Sequence, residues 1–183
     1  MGMKKSNVYN WIKKTEPVAE NSYKKLEMDE MYRFIFRKPR AKTRENVYIM
    51  LNVSREISQI AGFDAAYDKA PERIQHIVDN SPSGQEYFTD GYLGYIDVVY
   101  PGKHIRNTCD KSDTFTVEGV NADLRHYIPI LARRSRCFPR TIDTLLAVIK
   151  VFVQAYNLFG AAKYKYRLKH KTKETPFTFV SFL

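Results

Sequence analysis

The hydrophobic and polar positions of the first third of the chain predict three β-strands. Residues 23–36 alternate between apolar and polar side chains, and an acidic residue, Asp29 or Glu30, lies near the middle. Residues 46–53 are apolar on both faces, as a central strand would be. After a tight turn at residues 54–56, residues 57–63 read as a third strand. Three strands joined by short turns predict an antiparallel meander.

A helix and further short strands follow the meander. Pro71 opens a short helix, because proline suits the first helical position. Residues 86–89 form a short strand, and because a helix precedes it, we expect it to run parallel to one of the first three strands. Residues 92–96 suggest a helical turn. Residues 97–100 and 103–105 are weaker strand candidates.

A longer helix is predicted to begin at Thr116, whose hydroxyl suits an N-cap, and to end at Pro129. Its apolar face consists of Val117, Val120, Leu124, Tyr127, Ile128 and Leu131. Glu118, Asn121 and Arg125 lie along the flank of that face. A carboxylate, an amide and a guanidinium therefore edge a buried surface, although a solvated polar side is the simpler interpretation of this helix alone.

The last periodic segment predicts a helix capped by Thr141 or Asp143 and ended by Asn157 and Gly160. With the preceding elements, the chain order is β-β-β-α-β-α, which indicates an α/β fold with a mixed sheet. The length of 183 residues suits one domain with a small appendage.

Charge and composition narrow the function. The formal net charge is +10, which favours a polyanionic partner, most simply nucleic acid. No apolar run reaches the ~20 residues of a membrane helix, and no secretion signal is recognisable. Cys109 and Cys137 have no metal-ligand spacing, and a reduced cytoplasmic compartment fits them best. The excess positive charge of the last third comes from Arg133, Arg134, Arg136, Arg140, Lys163, Lys165, Arg167, Lys169, Lys171 and Lys173.

Three carboxylates occupy matching places in the predicted fold. Asp29 lies on the first strand, Asp90 at the carboxyl end of the fourth, and Glu118 on the later helix. Sites in open sheets gather at the carboxyl ends of parallel strands, so the three side chains converge if the helix covers that end. Such carboxylates repel unless cations lie between them, and oxygen ligands suit Mg²⁺ or Mn²⁺. Two such ions can promote phosphodiester displacement.

Each carboxylate also has an ordinary structural interpretation. Asp90-Gly91 is a common turn sequence, and Asp29 would be unremarkable as an exposed charge on an edge strand. Periodicity alone does not choose this triad over the other acidic candidates, which are Glu30, Asp64, Asp68, Glu86, Asp97, Asp110, Asp113 and Asp123.

Ordered blocks around these carboxylates resemble the catalytic blocks of DDE transposases, and the bacterial IS-one family in particular. The blocks are Met28-Asp29-Glu30-Met31-Tyr32, Phe88-Thr89-Asp90-Gly91-Tyr92, and Thr116-Val117-Glu118 with Asn121 and Leu124-Arg125. The downstream segment of residues 131–138 and the end of the last helix also match, so the resemblance spans roughly residues 24–168.

The resemblance implies an RNase H-like fold in which Asp29, Asp90 and Glu118 are the catalytic, metal-binding triad for Mg²⁺ or Mn²⁺. It implies DNA cleavage and strand transfer at the ends of a bacterial mobile element. Arg125 stands where related transposases carry a cation near DNA phosphates, and Asn121 matches the helix motif in a supporting role. Further DNA contacts are expected from Arg133, Arg134, Arg136, Arg140, Lys163, Lys165, Arg167 and Lys169.

The chain departs from the family pattern in several places. Gly119-Val120 replaces a basic and an aromatic residue, and Ser54-Arg55 replaces Asp-Arg. Only the end of a recognition helix is recognisable in residues 1–22, so we expect a remnant of the DNA-binding module there. Residues 23–160 are the expected catalytic domain, and residues 161–183 a basic and apolar tail. The chain then resembles either a second reading frame, whose full enzyme would arise by fusion to an upstream-frame product, or a truncated copy. In both cases we expect the chain alone to lack recognition of the element ends and to be inactive.

The expected partners are double-stranded DNA and other copies of the chain in a complex assembled on DNA, without a membrane. Two alternative functions remain open. A truncated product would hold DNA, or a full-length partner, without catalysis, as a regulator of the element. An RNase H-like nuclease unrelated to transposition would cut DNA without joining its ends.

Overall fold

Five strands form one mixed sheet in the part of the chain that the computed structural model describes, namely residues 21–36, 44–109, 113–132 and 139–159. In chain order they are β1 (Ser22–Phe36), β2 (Arg44–Ser54), β3 (Ile60–Ala66), β4 (Ser83–Thr89) and β5 (Lys103–Arg106). Their order across the sheet is β3-β2-β1-β4-β5. The pairs β1–β2 and β2–β3 are antiparallel, whereas β1–β4 and β4–β5 are parallel. The predicted meander followed by a parallel strand is confirmed.

Helices cover both faces of this sheet. They are α1 (Pro71–Asp79), α2 (Phe115–Tyr127) and α3 (Ile142–Phe159), with short 3₁₀ turns at Leu93–Tyr95 and Pro129–Leu131. One hydrophobic core lies between the sheet and the α2–α3 layer, and a second lies between the sheet and α1. No helix among the described residues is long and apolar enough to cross a membrane.

Side-chain alternation divides the strands between the two cores. On β1, Met31 and Ile35 pack towards α2 and α3, whereas Leu26 and Met28 pack towards α1. β2 supplies both cores, because Leu51 enters the first and Met50 the second. This burial on both faces confirms that β2 is a central strand.

Several strands differ in extent from the prediction, because β2 begins at Arg44, β3 spans Ile60–Ala66 and β4 begins at Ser83. β3 begins at Ile60 rather than at residue 57, because the turn after β2 continues to Gln59, whose carbonyl accepts the Ser54 amide at 2.8 Å. Ser58 has a φ of 55° in this longer turn. Residues 97–100 do not form a strand, because the Val99 amide donates to the Gln75 side chain at 2.7 Å instead of to a neighbouring strand.

The ends of α3 correct one prediction and support another. The Thr141 hydroxyl accepts the Thr144 amide at 3.2 Å, which selects Thr141 over Asp143 as the cap. Asn157 does not end the helix, which continues to Phe159. Its side chain instead turns towards β3, where it accepts the Ile60 amide at 2.8 Å and donates to the Ile60 carbonyl at 2.9 Å.

Replacing Asn157 with alanine is expected to lower the free energy of unfolding by about 2–4 kcal/mol, because it leaves two buried backbone groups of Ile60 without partners. Urea unfolding followed by circular dichroism measures this change. Leu158→Ala is the matched control, since the neighbouring Leu158 is exposed. A loss below about 1 kcal/mol in Asn157→Ala would show that water replaces both hydrogen bonds.

Candidate functional site

Asp29 and Asp90 lie at adjacent positions on two parallel strands. Met28 of β1 is paired with Thr89, the last residue of β4, and the next residue on each side is a carboxylate. β1 continues beyond this point, whereas β4 ends there. The two aspartates therefore meet where a strand stops beside a longer neighbour, which is a common place for a binding site in a parallel sheet.

Helix α2 brings the third predicted carboxylate to the same edge. Asn121, which is 2% exposed, donates from Nδ2 to Asp29 Oδ2 at 2.8 Å. Glu118 lies one turn before Asn121, in the first turn of α2. Burial, together with the negative charges of Glu30, Asp90 and Glu118, raises the pKa of Asp29 from 3.8 to about 6. The charges of Asp90 and Glu118 therefore both act on Asp29.

The donor atoms of this group suit a hard divalent cation. Three carboxylates supply the oxygen ligands that Mg²⁺ prefers. In addition, the buried Asn121 Oδ1 has no hydrogen-bond partner among the described residues, although its amide nitrogen holds Asp29. Within those same residues, however, no three acidic, histidine or cysteine side chains form a ready-made metal site. The residue types nevertheless fit such a cation.

Glu30 belongs to a different group of side chains on the opposite face of the sheet. Lys69 Nζ donates to Glu30 Oε1 at 2.6 Å, and the Tyr95 hydroxyl donates to Oε2 at 2.8 Å. The Lys69 ammonium also lies 3.7 Å from the centre of the Tyr92 ring. Alternation along β1 therefore places Asp29 beside α2 and leaves Glu30 in an ion pair. Sequence reasoning missed Lys69, because nothing local marks it as a partner of β1.

Tyr92 connects this group to Asp90. Its amide donates to Asp90 Oδ1 at 2.9 Å, and its hydroxyl donates to the Lys69 carbonyl at 3.1 Å. Hydrogen bonding to Glu30 and the nearby charges of Glu30 and Asp90 raise the pKa of Lys69 against the opposing effect of burial. Lys69 therefore keeps its positive charge at neutral pH, and Asp90 is one of the groups that favour this charge.

The first turn of α2 has an unpredicted cap. Thr116 is not the N-cap, because α2 begins at Phe115 and the capping position, Thr114, makes no side-chain hydrogen bond to the helix. The carboxylate of Glu27 takes this role from β1: its Oε2 accepts the amides of Thr116 at 2.7 Å and of Val117 at 2.9 Å. Glu27 is two residues before Asp29, so strand alternation was a signal that both face α2.

Basic side chains lie farther along the same strand and helix. Arg33 of β1 and Arg125 of α2 line a pocket of about 360 Å³, which Tyr32, Phe34 and Leu131 complete. Arg33 is 5% exposed, and its Nε donates to the Ile130 carbonyl at 2.9 Å. Burial lowers the pKa of the Arg33 guanidinium, which nevertheless stays charged at neutral pH. The pocket therefore offers positive charge on the same side of the sheet as Asp29.

The remaining cations that we expected to contact DNA lie later in the chain than this pocket. Arg140 is exposed, just before α3. The other predicted cations lie outside the described residues; they are Arg133, Arg134, Arg136, Lys163, Lys165, Arg167 and Lys169.

Several of the competing acidic residues have structural partners. Asp64 Oδ2 lies 3.3 Å from His76 Nδ1, and Asp68 Oδ1 lies 3.8 Å from Arg73 Nε. Asp123 accepts the Tyr156 hydroxyl at 3.3 Å. These acids therefore have partners within their own parts of the fold, whereas the nearby charges of Asp90 and Glu118 raise the pKa of Asp29.

Comparison with known proteins adds no family assignment. No protein-family model and no curated protein matches this chain significantly. The interpretation of the three carboxylates therefore depends on the sequence blocks and on the geometry described above.

Proposed function

We propose that this chain is the catalytic part of a DDE transposase of a bacterial insertion sequence. One observation supports the proposal: Asp29 lies where the charges of both Asp90, which follows β4, and Glu118, in the first turn of α2, raise its pKa. The order of these carboxylates along the chain and their sequence blocks are those of the IS-one-type resemblance. The proposed reaction is metal-dependent cleavage at the element ends, followed by strand transfer.

The architecture supports an RNase H-like fold for this domain. The first three strands form an antiparallel meander, and β4 and β5 extend the sheet in parallel from β1. A helix carrying the third carboxylate packs against β1. This mixed sheet with flanking helices is consistent with the fold that the resemblance implies.

In the proposed chemistry, Asp29, Asp90 and Glu118 hold Mg²⁺ or Mn²⁺. When bound, such ions favour attack on a phosphodiester and stabilise the leaving oxygen. Asn121 orients Asp29 through its amide hydrogen bond. Water is the nucleophile that frees a 3′-hydroxyl at the element end, and this hydroxyl then attacks a target phosphodiester, which releases a target 3′-oxygen.

The basic residues are proposed to hold the DNA. Arg125 would contact backbone phosphates from the pocket that it lines, and the buried Arg33 would add positive charge there. Arg140 and the cations outside the described residues would extend this surface. Other copies of the chain and an upstream-frame product are the proposed protein partners, the latter supplying recognition of the element ends.

A second candidate is a DNA-holding product without catalysis. The net charge of +10 and the arginine pocket favour it independently of the carboxylates. It predicts DNA binding that weakens steeply with salt, without metal-dependent cutting.

Calorimetric titration with Mn²⁺ tests the proposal. The native chain is compared with a triple variant, Asp29→Asn, Asp90→Asn and Glu118→Gln, first alone and then with a DNA duplex present. We expect binding in the native chain and its loss in the triple variant. Equal binding in both proteins, or no binding in either even with DNA, would contradict the metal site and leave the DNA-holding candidate.

A further inference from the structure

Glu27 is a buried carboxylate that the proposed chemistry does not use. It is 0% exposed, and both of its oxygens are engaged. Oε2 accepts the first-turn amides of α2, and Oε1 accepts Arg55 Nε at 2.6 Å. Removing a carboxylate from water is costly unless such partners surround it. Its contacts with α2 and Arg55 therefore compensate the buried charge and indicate a role in placing the helix.

Arg55, which donates to Glu27, also has contacts with two other parts of the fold. Its guanidinium carbon lies 3.8 Å from the centre of the Phe88 ring. Its Nη2 donates to the Asp113 carbonyl at 2.5 Å, in the residues that lead into α2. Arg55 thus joins the turn after β2, the end of β4 and the approach to α2. The pair fixes the start of α2 against β1 from two directions.

Two contacts between β1 and α2 lie on either side of Glu118 along the helix. On one side, Glu27 binds the amides of Thr116 and Val117, which immediately precede Glu118. On the other side, Asp29 accepts Asn121, one turn after Glu118. Glu27 and Asp29 are two residues apart on one strand, a distance of roughly 7 Å. A shift of the helix start would consequently move Glu118 relative to Asp29 and Asp90.

We propose that Glu27 and Arg55 are positioning residues that set the place of Glu118 beside the two aspartates and so determine divalent-metal affinity. The inference rests on the proposed function, because it assumes that these three carboxylates bind the metal. Helix capping from a distant strand couples the fold of α2 directly to the geometry of the site. A local cap at Thr114 would stabilise the helix without this coupling.

The test uses Glu27→Gln, which keeps an oxygen for the two α2 amides but directs an amide NH₂ group at Arg55. We expect Mn²⁺ affinity, measured by calorimetry, to fall about tenfold or more, as when a group that supports metal ligands is lost. Amide hydrogen exchange at Thr116 and Val117 should become faster. Arg55→Lys, which keeps the charge, should bind Mn²⁺ more tightly than Arg55→Met.

Ile149→Val is the control for general destabilisation, because Ile149 is fully buried in α3 and belongs to the same core. It should lower the melting temperature while leaving Mn²⁺ affinity unchanged. Unchanged affinity in Glu27→Gln, or an equal loss in Ile149→Val, would overturn the positioning role alone. Absence of Mn²⁺ binding at the three carboxylates of the native chain would instead overturn the proposed function, and the positioning role with it.

Discussion

Glu118→Gln is expected to lower Mg²⁺-dependent nicking of DNA by more than about 100-fold. Loss of a group that only supports a metal ligand costs 10–100-fold, so loss of a ligand itself should cost more. Glutamine keeps the size of the side chain and its place on α2, while removing the charge that would hold the cation. The measurement is the rate of plasmid or oligonucleotide nicking at equal Mg²⁺ concentration, together with the melting temperature of each protein. If the chain alone does not cut DNA, the same pair is compared after fusion to the proposed upstream-frame partner.

Glu72→Gln provides the matched control. Glu72 is also a glutamate in the first turn of a helix, but it is exposed on α1, on the opposite side of the sheet. The change should leave nicking unaltered. Equal rates in the native chain and Glu118→Gln would remove Glu118 from the active site, and an equal loss in both variants would indicate a general effect of charge.

Local pattern was sufficient for the antiparallel meander and for the parallel direction of β4. Alternation along residues 23–36 predicted β1, and apolar residues on both faces predicted the central strand β2. The crossover helix from Pro71 predicted that β4 would be parallel. The pattern does not select the strand that β4 joins; the structure pairs β4 with β1, so that Thr89 lies opposite Met28 and each is followed by an aspartate.

Long-range partners could not be predicted in the same way. Glu27 caps a helix whose first amides are 89 and 90 residues away in sequence, and Asn157 satisfies the backbone of Ile60 over 97 residues. A hydrogen bond of this kind leaves no periodic signal in either segment. The longer turn before β3 was missed for a related reason. Its extent depends on a backbone hydrogen bond between Ser54 and Gln59 rather than on the residue types in the turn.

Metal binding should depend on pH through Asp29. Its pKa is raised to about 6, so protons compete with a cation for this carboxylate in mildly acidic solution. The association constant for Mn²⁺ is therefore expected to increase about tenfold between pH 5 and pH 7 and to level off above that range. Calorimetric titrations at half-unit pH intervals measure the change. Asp29→Asn should bind more weakly and show a flatter dependence.

The raised pKa of Asp29 acts in the opposite direction on the stability of the metal-free protein, whose free energy of unfolding decreases as pH rises. Because the folded-state pKa lies above the ordinary value of 3.8, protonated Asp29 favours folding, and this contribution is lost as pH rises through about 6. The difference between the ordinary pKa of 3.8 and the folded-state pKa of about 6 corresponds to roughly 3 kcal/mol as an upper bound, since Asp29 is only partly buried. Without metal, Asp29→Asn should therefore gain stability over the native chain between pH 4.5 and pH 7.5 in urea unfolding. Saturating Mn²⁺ should reverse this difference, because the cation stabilises only the ionised native site. If the stability difference between Asp29→Asn and the native chain stays constant with pH without metal, the folded state does not raise the pKa of Asp29.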